Sequence, residues 1–121
     1  MSVILIVEDD VFIGEVAQMM IRDWGHQTLM AGDVDEALVI LRSDQPIDAL
    51  FTDIYLKTAV LGGFELADQA LLLRPLLRIL YTSGNSVTEK MKSLFAAGAQ
   101  LLCKPYTEFQ LHQSVDHLLA A

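Results

Sequence analysis

Five short apolar runs alternate along the chain with five amphipathic stretches. Val3 to Val7 is an unbroken apolar run, the length and texture of a strand buried on both faces. Phe12, Val16, Met19 and Met20 then recur at i, i+4, i+7 and i+8, which predicts a helix from Val11 to Trp24 with those residues inward. Gly25 closes it as a C-cap. Gln27 to Ala31 predicts a second strand. Val34, Ala37, Leu38 and Leu41 share one face of a helix over Val34 to Arg42, with Asp33 as N-cap. Ala49 to Thr52, apolar or β-branched after the breaker Pro46, predict a third strand that ends in Asp53. The pair Gly62-Gly63 predicts a loop with unusual backbone angles. A helix follows over Phe64 to Leu73, stopped by Pro75. Arg78 to Tyr81 predict a fourth strand running into Thr82-Ser83-Gly84-Asn85. The next helix is expected over Val87 to Ala97, with Val87, Met91, Leu94 and Phe95 inward, capped by Asn85 or Ser86 and ended by Gly98. Leu101 to Cys103 is the fifth strand, ending in Lys104-Pro105. The last helix spans Glu108 to Leu119, with Thr107 as N-cap and Leu111, Val115, Leu118 and Leu119 as its buried stripe. Strand and helix alternate without repeat or linker. That predicts a single doubly wound α/β domain over residues 1–121, with right-handed crossovers.

Composition narrows the function classes. With 121 residues there is room for one full core. A hydrophobic content of 53% argues against disorder, and no apolar run reaches the roughly 18 residues of a membrane span. The start lacks a basic segment and a cleavage site, so it does not read as a signal peptide. One cysteine, Cys103, excludes an intramolecular disulfide and fits a reducing, cytoplasmic setting. It reads as a buried small hydrophobe. Sixteen acids against eight lysines and arginines give a net charge of -8, which disfavours direct nucleic-acid binding.

The chemistry gathers at strand ends. In a doubly wound sheet the C-terminal strand ends share one edge, where ligands bind. The first, third, fourth and fifth strands bring Glu8 and Asp9, Asp53, Thr82 and Lys104 to that edge. Adjacent carboxylates repel unless solvated or neutralised. Such a set can hold Mg²⁺, which takes one or two protein acids and keeps several waters. A carboxylate can also attack phosphorus, and a phosphoryl group then needs a cation and donors on its oxygens. Singly, each residue has a bland reading: acids at a helix N-terminus, an Asp that turns the chain, a solvated lysine. Their convergence favours the chemical reading.

The sequence resembles the response-regulator receiver domains of two-component signalling, from Val3 to Leu119. The motifs that carry the likeness are Ile-Leu-Ile-Val-Glu-Asp-Asp at 4–10, Leu-Phe-Thr-Asp-Ile at 50–54, Gly-Gly-Phe-Glu-Leu at 62–66, Tyr-Thr-Ser-Gly at 81–84 and Lys-Pro-Tyr at 104–106. The resemblance implies a flavodoxin-like (βα)5 fold with strand order 2-1-3-4-5. It makes Asp53 the phosphoacceptor, Glu8 and Asp9 the acidic pair, and the Tyr55 carbonyl a further Mg²⁺ ligand. Thr82 becomes the switch hydroxyl and Lys104 the phosphate-pairing lysine, next to a cis Lys104-Pro105 bond. The implied partners are a sensor histidine kinase or a histidine phosphotransfer protein, and a downstream protein target, with phosphorylation-dependent homodimerisation also in prospect. No membrane or nucleic-acid partner and no output domain are expected, and the module is a signalling device rather than an enzyme. Three departures stand out. Lys57 occupies the place, four after the acceptor, where the family usually has proline. The loop to Gly63 is about two residues longer than usual. Leu101 replaces the Tyr or Phe that many members carry three positions before the lysine.

Two other readings compete. A haloacid-dehalogenase-type phosphatase also uses an Asp nucleophile with Mg²⁺, but it wants a second acid two residues on, where Tyr55 stands. A flavin-binding electron carrier would need a phosphate-cradling loop after the first strand, and Glu8-Asp9-Asp10 would repel phosphate. His112 and His117 read as surface residues, and His26 shows no partner.

Overall fold

A computed structural model describes residues 2–57 and 59–120. Thr58, in the expected loop to Gly63, and the termini of the expected 1–121 domain, Met1 and Ala121, lie outside the described residues. In chain order the elements are β1 (Val3–Val7), α1 (Val11–Asp23), β2 (Gln27–Ala31), α2 (Val34–Arg42), β3 (Ala49–Asp53), α3 (Gly62–Leu73), β4 (Arg78–Ser83), α4 (Glu89–Lys92), β5 (Gln100–Cys103) and α5 (Glu108–Ala120). The strands form one parallel sheet in the order β2-β1-β3-β4-β5, the flavodoxin-like order expected. Helices cover both faces, which is why β1 and β3 are apolar at nearly every position.

Alternate residues along each strand feed two cores. Leu5, Val7, Leu50, Ile79 and Tyr81 pack with α2 and α3. Ile4, Ile6, Phe51, Leu80 and Leu102 pack with α1 and α5. The helix starts are capped locally. Asp33 Oδ1 accepts from Glu36 N–H at 2.8 Å. At α5, Thr107 Oγ1 accepts from Gln110 N–H at 3.1 Å, while Gln110 Oε1 accepts from Thr107 N–H at 2.8 Å. The two together form a reciprocal capping box.

Four expectations need correction. On α1 the buried residues are Gly14, Ala17 and Ile21. Phe12 and Met19, expected inward, are 67% and 58% exposed. The helix lies so close to β2 that a Cβ on Gly14 would sit 2.9 Å from Met30 Cε, so small residues face the sheet. Second, α4 is a single turn rather than a helix over Val87 to Ala97, its cap is Thr88, whose side chain accepts from Met91 N–H at 3.1 Å, and Leu94, expected inward, is exposed. The Ser93 hydroxyl donates back to the Lys90 carbonyl, a local bond that competes with the helical ladder. Third, Gly62 and Gly63 open α3 instead of forming a loop, and the left-handed backbone angle falls on Leu61, at φ 58°. Fourth, Cys103 is exposed. At the far end of α1, Trp24 stacks on His112 of α5, ring centres 4.3 Å apart. His112 Nε2 lies 3.0 Å from Asp116 Oδ2.

Candidate functional site

The register of the sheet builds the site. β3 and β4 run side by side with Asp53 opposite Thr82, and β4 and β5 place Ser83 opposite Cys103. Backbone bonds continue the ladder beyond the strands. Ile54 N–H donates to Thr82 O at 2.9 Å, and Lys104 N–H to Ser83 O at 2.9 Å. At β1, Glu8 N–H donates to Ala31 O at 3.1 Å. The strand ends are thus held to one another before any side chain is considered.

Three carboxylates converge there. One oxygen from each of Glu8, Asp9 and Asp53 lies within 4.8 Å of the others. Asp53 is 4% exposed and Glu8 7% exposed. Lys104 Nζ stands 2.7 Å from Glu8 Oε1 and 2.8 Å from Asp53 Oδ1. The second approach is within ion-pair distance. Asp53 Oδ1 and the neighbouring Thr82 Oγ1 are buried polar atoms without a hydrogen-bond partner. Such atoms are uncommon in a fold. Glu8 Oε2 accepts from Asp10 N–H at 3.2 Å, and Asp10 itself caps α1 through Ile13 N–H. These residues line a cavity of about 260 Å³ with Tyr55, Lys57, Ser83, Gly84 and Asn85. A larger apolar hollow, about 520 Å³, lies alongside between Phe12, Val16, Met20 and Tyr106, and shares Ile13, Gly84 and Lys104 with it.

The electrostatics are unbalanced. Burial, and then Glu8 sharing the site, push the Asp53 carboxyl up to about 8, with Lys104 pulling the other way. For Glu8, burial also acts upward, but Asp53, Lys104 and the Asp10 amide outweigh it and hold the carboxyl below its ordinary value. Burial lowers the Lys104 ammonium while the two carboxylates raise it, and the carboxylates win. Among the described residues, Lys104 pairs with two of the three acids, Glu8 and Asp53. A divalent ion would supply the missing charge, and its field would oppose the direction found for Asp53. Mg²⁺ suits an all-oxygen donor set with room for water, so the residues fit the ion that the resemblance implies.

Each site residue expected from the sequence lies at this edge. The Lys104-Pro105 bond is cis. Tyr55 lines the cavity, and its hydroxyl reaches outward to Met91 Sδ at 3.4 Å. Sequence reasoning did not single out Ser83, whose hydroxyl accepts from Asn85 N–H at 3.1 Å and shapes the turn after β4. The Thr-Ser-Gly-Asn string was the available signal. It also missed Gly63 as a packing requirement. A Cβ there would lie 2.1 Å from Asp53 O, so only glycine lets α3 start against the acid's own main chain.

Comparison with known proteins gives a consistent picture. The family model described as "Response regulator receiver domain" matches residues 4–116. The uncharacterized transcriptional regulatory protein YrkP of Bacillus subtilis is 28% identical over 112 residues, covering 93% of this chain and 47% of its own length. The crystal structure of NtrX from Brucella abortus superposes with a TM-score of 0.88 at 30% identity, covering 98% of this chain and 27% of NtrX. A response regulator receiver protein from Sinorhizobium medicae matches with a TM-score of 0.90 at 27% identity, covering 99% of this chain and 95% of that one. The chain thus spans about half the length of YrkP and about a quarter of NtrX.

Proposed function

This chain belongs to the response regulator receiver domains of two-component signalling, and on that premise we propose that Asp53 is its phosphoacceptor. The observation that carries the reading is the buried Thr82 Oγ1, without a hydrogen-bond partner, opposite Asp53, whose Oδ1 lies 2.8 Å from Lys104 Nζ. An Asp53 oxygen attacks phosphorus as the bond from phosphorus to the donor's histidine nitrogen breaks, and the nitrogen leaves with its electron pair. The product is an aspartyl phosphate. Thr82 Oγ1 then donates to a phosphoryl oxygen, and the Lys104 ammonium shifts its charge from Asp53 to the new group. Glu8, Asp9, Asp53 and the Tyr55 carbonyl are the groups that would hold Mg²⁺, which when bound neutralises charge on the phosphoryl oxygens.

The donor is a sensor histidine kinase or a histidine phosphotransfer protein, acting on one domain that spans the chain. The signal passes to a downstream protein, with homodimerisation on phosphorylation as a further outcome. Among the described residues no helix is long and apolar enough to cross a membrane. The membership in the receiver family is what supports a cytoplasmic setting. Acetyl phosphate with Mg²⁺ is the direct test. Intact mass should rise by one phosphoryl group in the parent and not in Asp53→Ala. Phosphorylation that persists in Asp53→Ala would sink the assignment.

A further inference from the structure

Asp9 is the most exposed of the three acids, and the turn after β3 bears on it. The Lys57 backbone N–H donates to Asp9 Oδ2 at 2.6 Å, across 48 positions of sequence. That is short even for a bond to an ionised carboxylate. The amide is braced where it stands. Leu56, immediately before it, is buried and pairs with Ala59 as an isolated antiparallel bridge. Ala59 N–H donates to Leu56 O at 3.1 Å, and Gly62 N–H donates to Ala59 O at 2.8 Å. A Cβ on Gly62 would sit 2.8 Å from the Ala59 Cβ, so the turn is closed tightly against the start of α3. Proline, the usual residue at this position in proteins that the sequence resembles, has no N–H to give. The bond is therefore open to this chain because Lys57 stands where proline is usual.

We propose that the Lys57 main-chain N–H is a positioning group for the metal site. It occupies one oxygen of Asp9 and fixes the carboxylate plane, leaving the other oxygen for a cation shared with Glu8 and Asp53. A carboxylate free to rotate would have to be ordered when the ion binds; here that ordering is present beforehand. The role belongs to the amide and is separate from the Lys57 ammonium. It rests on reading the acid cluster as a Mg²⁺ site.

Calorimetric Mg²⁺ titration of the parent, Lys57→Ala and Lys57→Pro separates these parts. Alanine removes the ammonium and keeps the N–H; proline removes both. Outer-shell bonds to metal ligands change affinity by roughly 10–100-fold, so Lys57→Pro should bind Mg²⁺ about tenfold or more weakly than Lys57→Ala. A second measurement stands should the proline variant not fold. In proton NMR the Lys57 amide of the parent should lie downfield, stay there on adding Mg²⁺, and move upfield in Asp9→Ala. Equal Mg²⁺ affinity in the two Lys57 variants, or a Lys57 amide indifferent to Asp9→Ala, would overturn the positioning role alone. A parent that binds no Mg²⁺ would overturn it together with the metal reading.

Discussion

The segments that leave the site after β3 and after β4 start from neighbouring strand ends and are built in opposite ways. In residues 54–63, Ile54, Leu56, Gly62 and Gly63 are buried, and the backbone bonds to itself and to Asp9. In residues 84–99 none is buried. That stretch contains one helical turn and is held by few contacts. Ala96 N–H donates to Tyr81 Oη at 3.2 Å, Tyr55 Oη donates to Met91 Sδ, and Phe95 packs 4.8 Å from Tyr81 and 5.6 Å from Phe64. The first segment carries the geometry of the acids and needs rigidity. The second has the few buried contacts typical of parts that open or move cheaply. A phosphoryl group on Asp53 would lie between them, anchored on one and able to recruit Thr82 at the root of the other.

The comparison breaks most visibly at Gly63. Alanine there would drive its Cβ into the Asp53 carbonyl, which is main chain and cannot rotate away. We expect Gly63→Ala to cost about 3 kcal/mol or more in urea unfolding, at the top of the overpacking range. A small loss would mean the first segment is far softer than described.

The next largest effect concerns the acid between the segments. Burial raises the Asp53 carboxyl from 3.8 to about 8. The fold therefore favours the protonated form, so this contribution to stability is present below 3.8 and is lost as pH rises through about 8. In EDTA at pH 8, Asp53→Ala should be more stable than the parent by on the order of 2 kcal/mol. The gap should close towards pH 4, and Mg²⁺ should close it at pH 8 by stabilising the parent. Thermal melts across pH check this, and a parent that melts above the variant at pH 8 in EDTA would contradict it.

Smaller again is Tyr81→Phe. Losing the hydroxyl leaves the Ala96 N–H without its acceptor, at about 1 kcal/mol. Hydrogen exchange should quicken at residues 92–96 and stay unchanged in β1 and β3. Slow exchange retained at Ala96 would show that something else holds the second segment. The smallest effect is Gly84→Ala, where the nearest atom to the new Cβ is Lys104 Cβ at 3.9 Å. Stability should stay within about 0.5 kcal/mol, in contrast with Gly63→Ala.

These two segments also mark where the sequence is legible. β1, β2 and α2 fall where the apolar pattern puts them, because a strand buried on both faces and a helix with a clean stripe leave few alternatives. The site residues are legible for a related reason: parallel strands carry every C-terminal end to one edge, so polar residues after apolar runs meet. What fails is size-based reasoning on helices. Phe12 and Met19 are the large apolar residues of α1, yet close approach to the sheet selects Gly14 and Ala17. The 87–97 pattern holds for Val87, Met91 and Phe95, which pack on the core, and fails for Leu94, which is exposed. The three reach the core with only the single turn of α4, beyond which Tyr81 accepts from the Ala96 amide and the Ser93 hydroxyl donates to the Lys90 carbonyl. Leu101 lies opposite Tyr81 in register, so an aromatic ring is present one strand over from where the family pattern sought it.

The stack of Trp24 on His112 has a practical corollary. Trp24 is the chain's one tryptophan. α1 begins at the acid cluster and runs back along the sheet, so its indole sits at the opposite end, on the seam with α5. Its emission is a gauge of whether that seam is closed and is blind by position to events at Asp53. Ultraviolet spectroscopy of this protein therefore divides by chromophore. Indole fluorescence follows melting, whereas the phenols of Tyr55 and Tyr81, in contact with the lightly held segment, are the optical handles on its rearrangement.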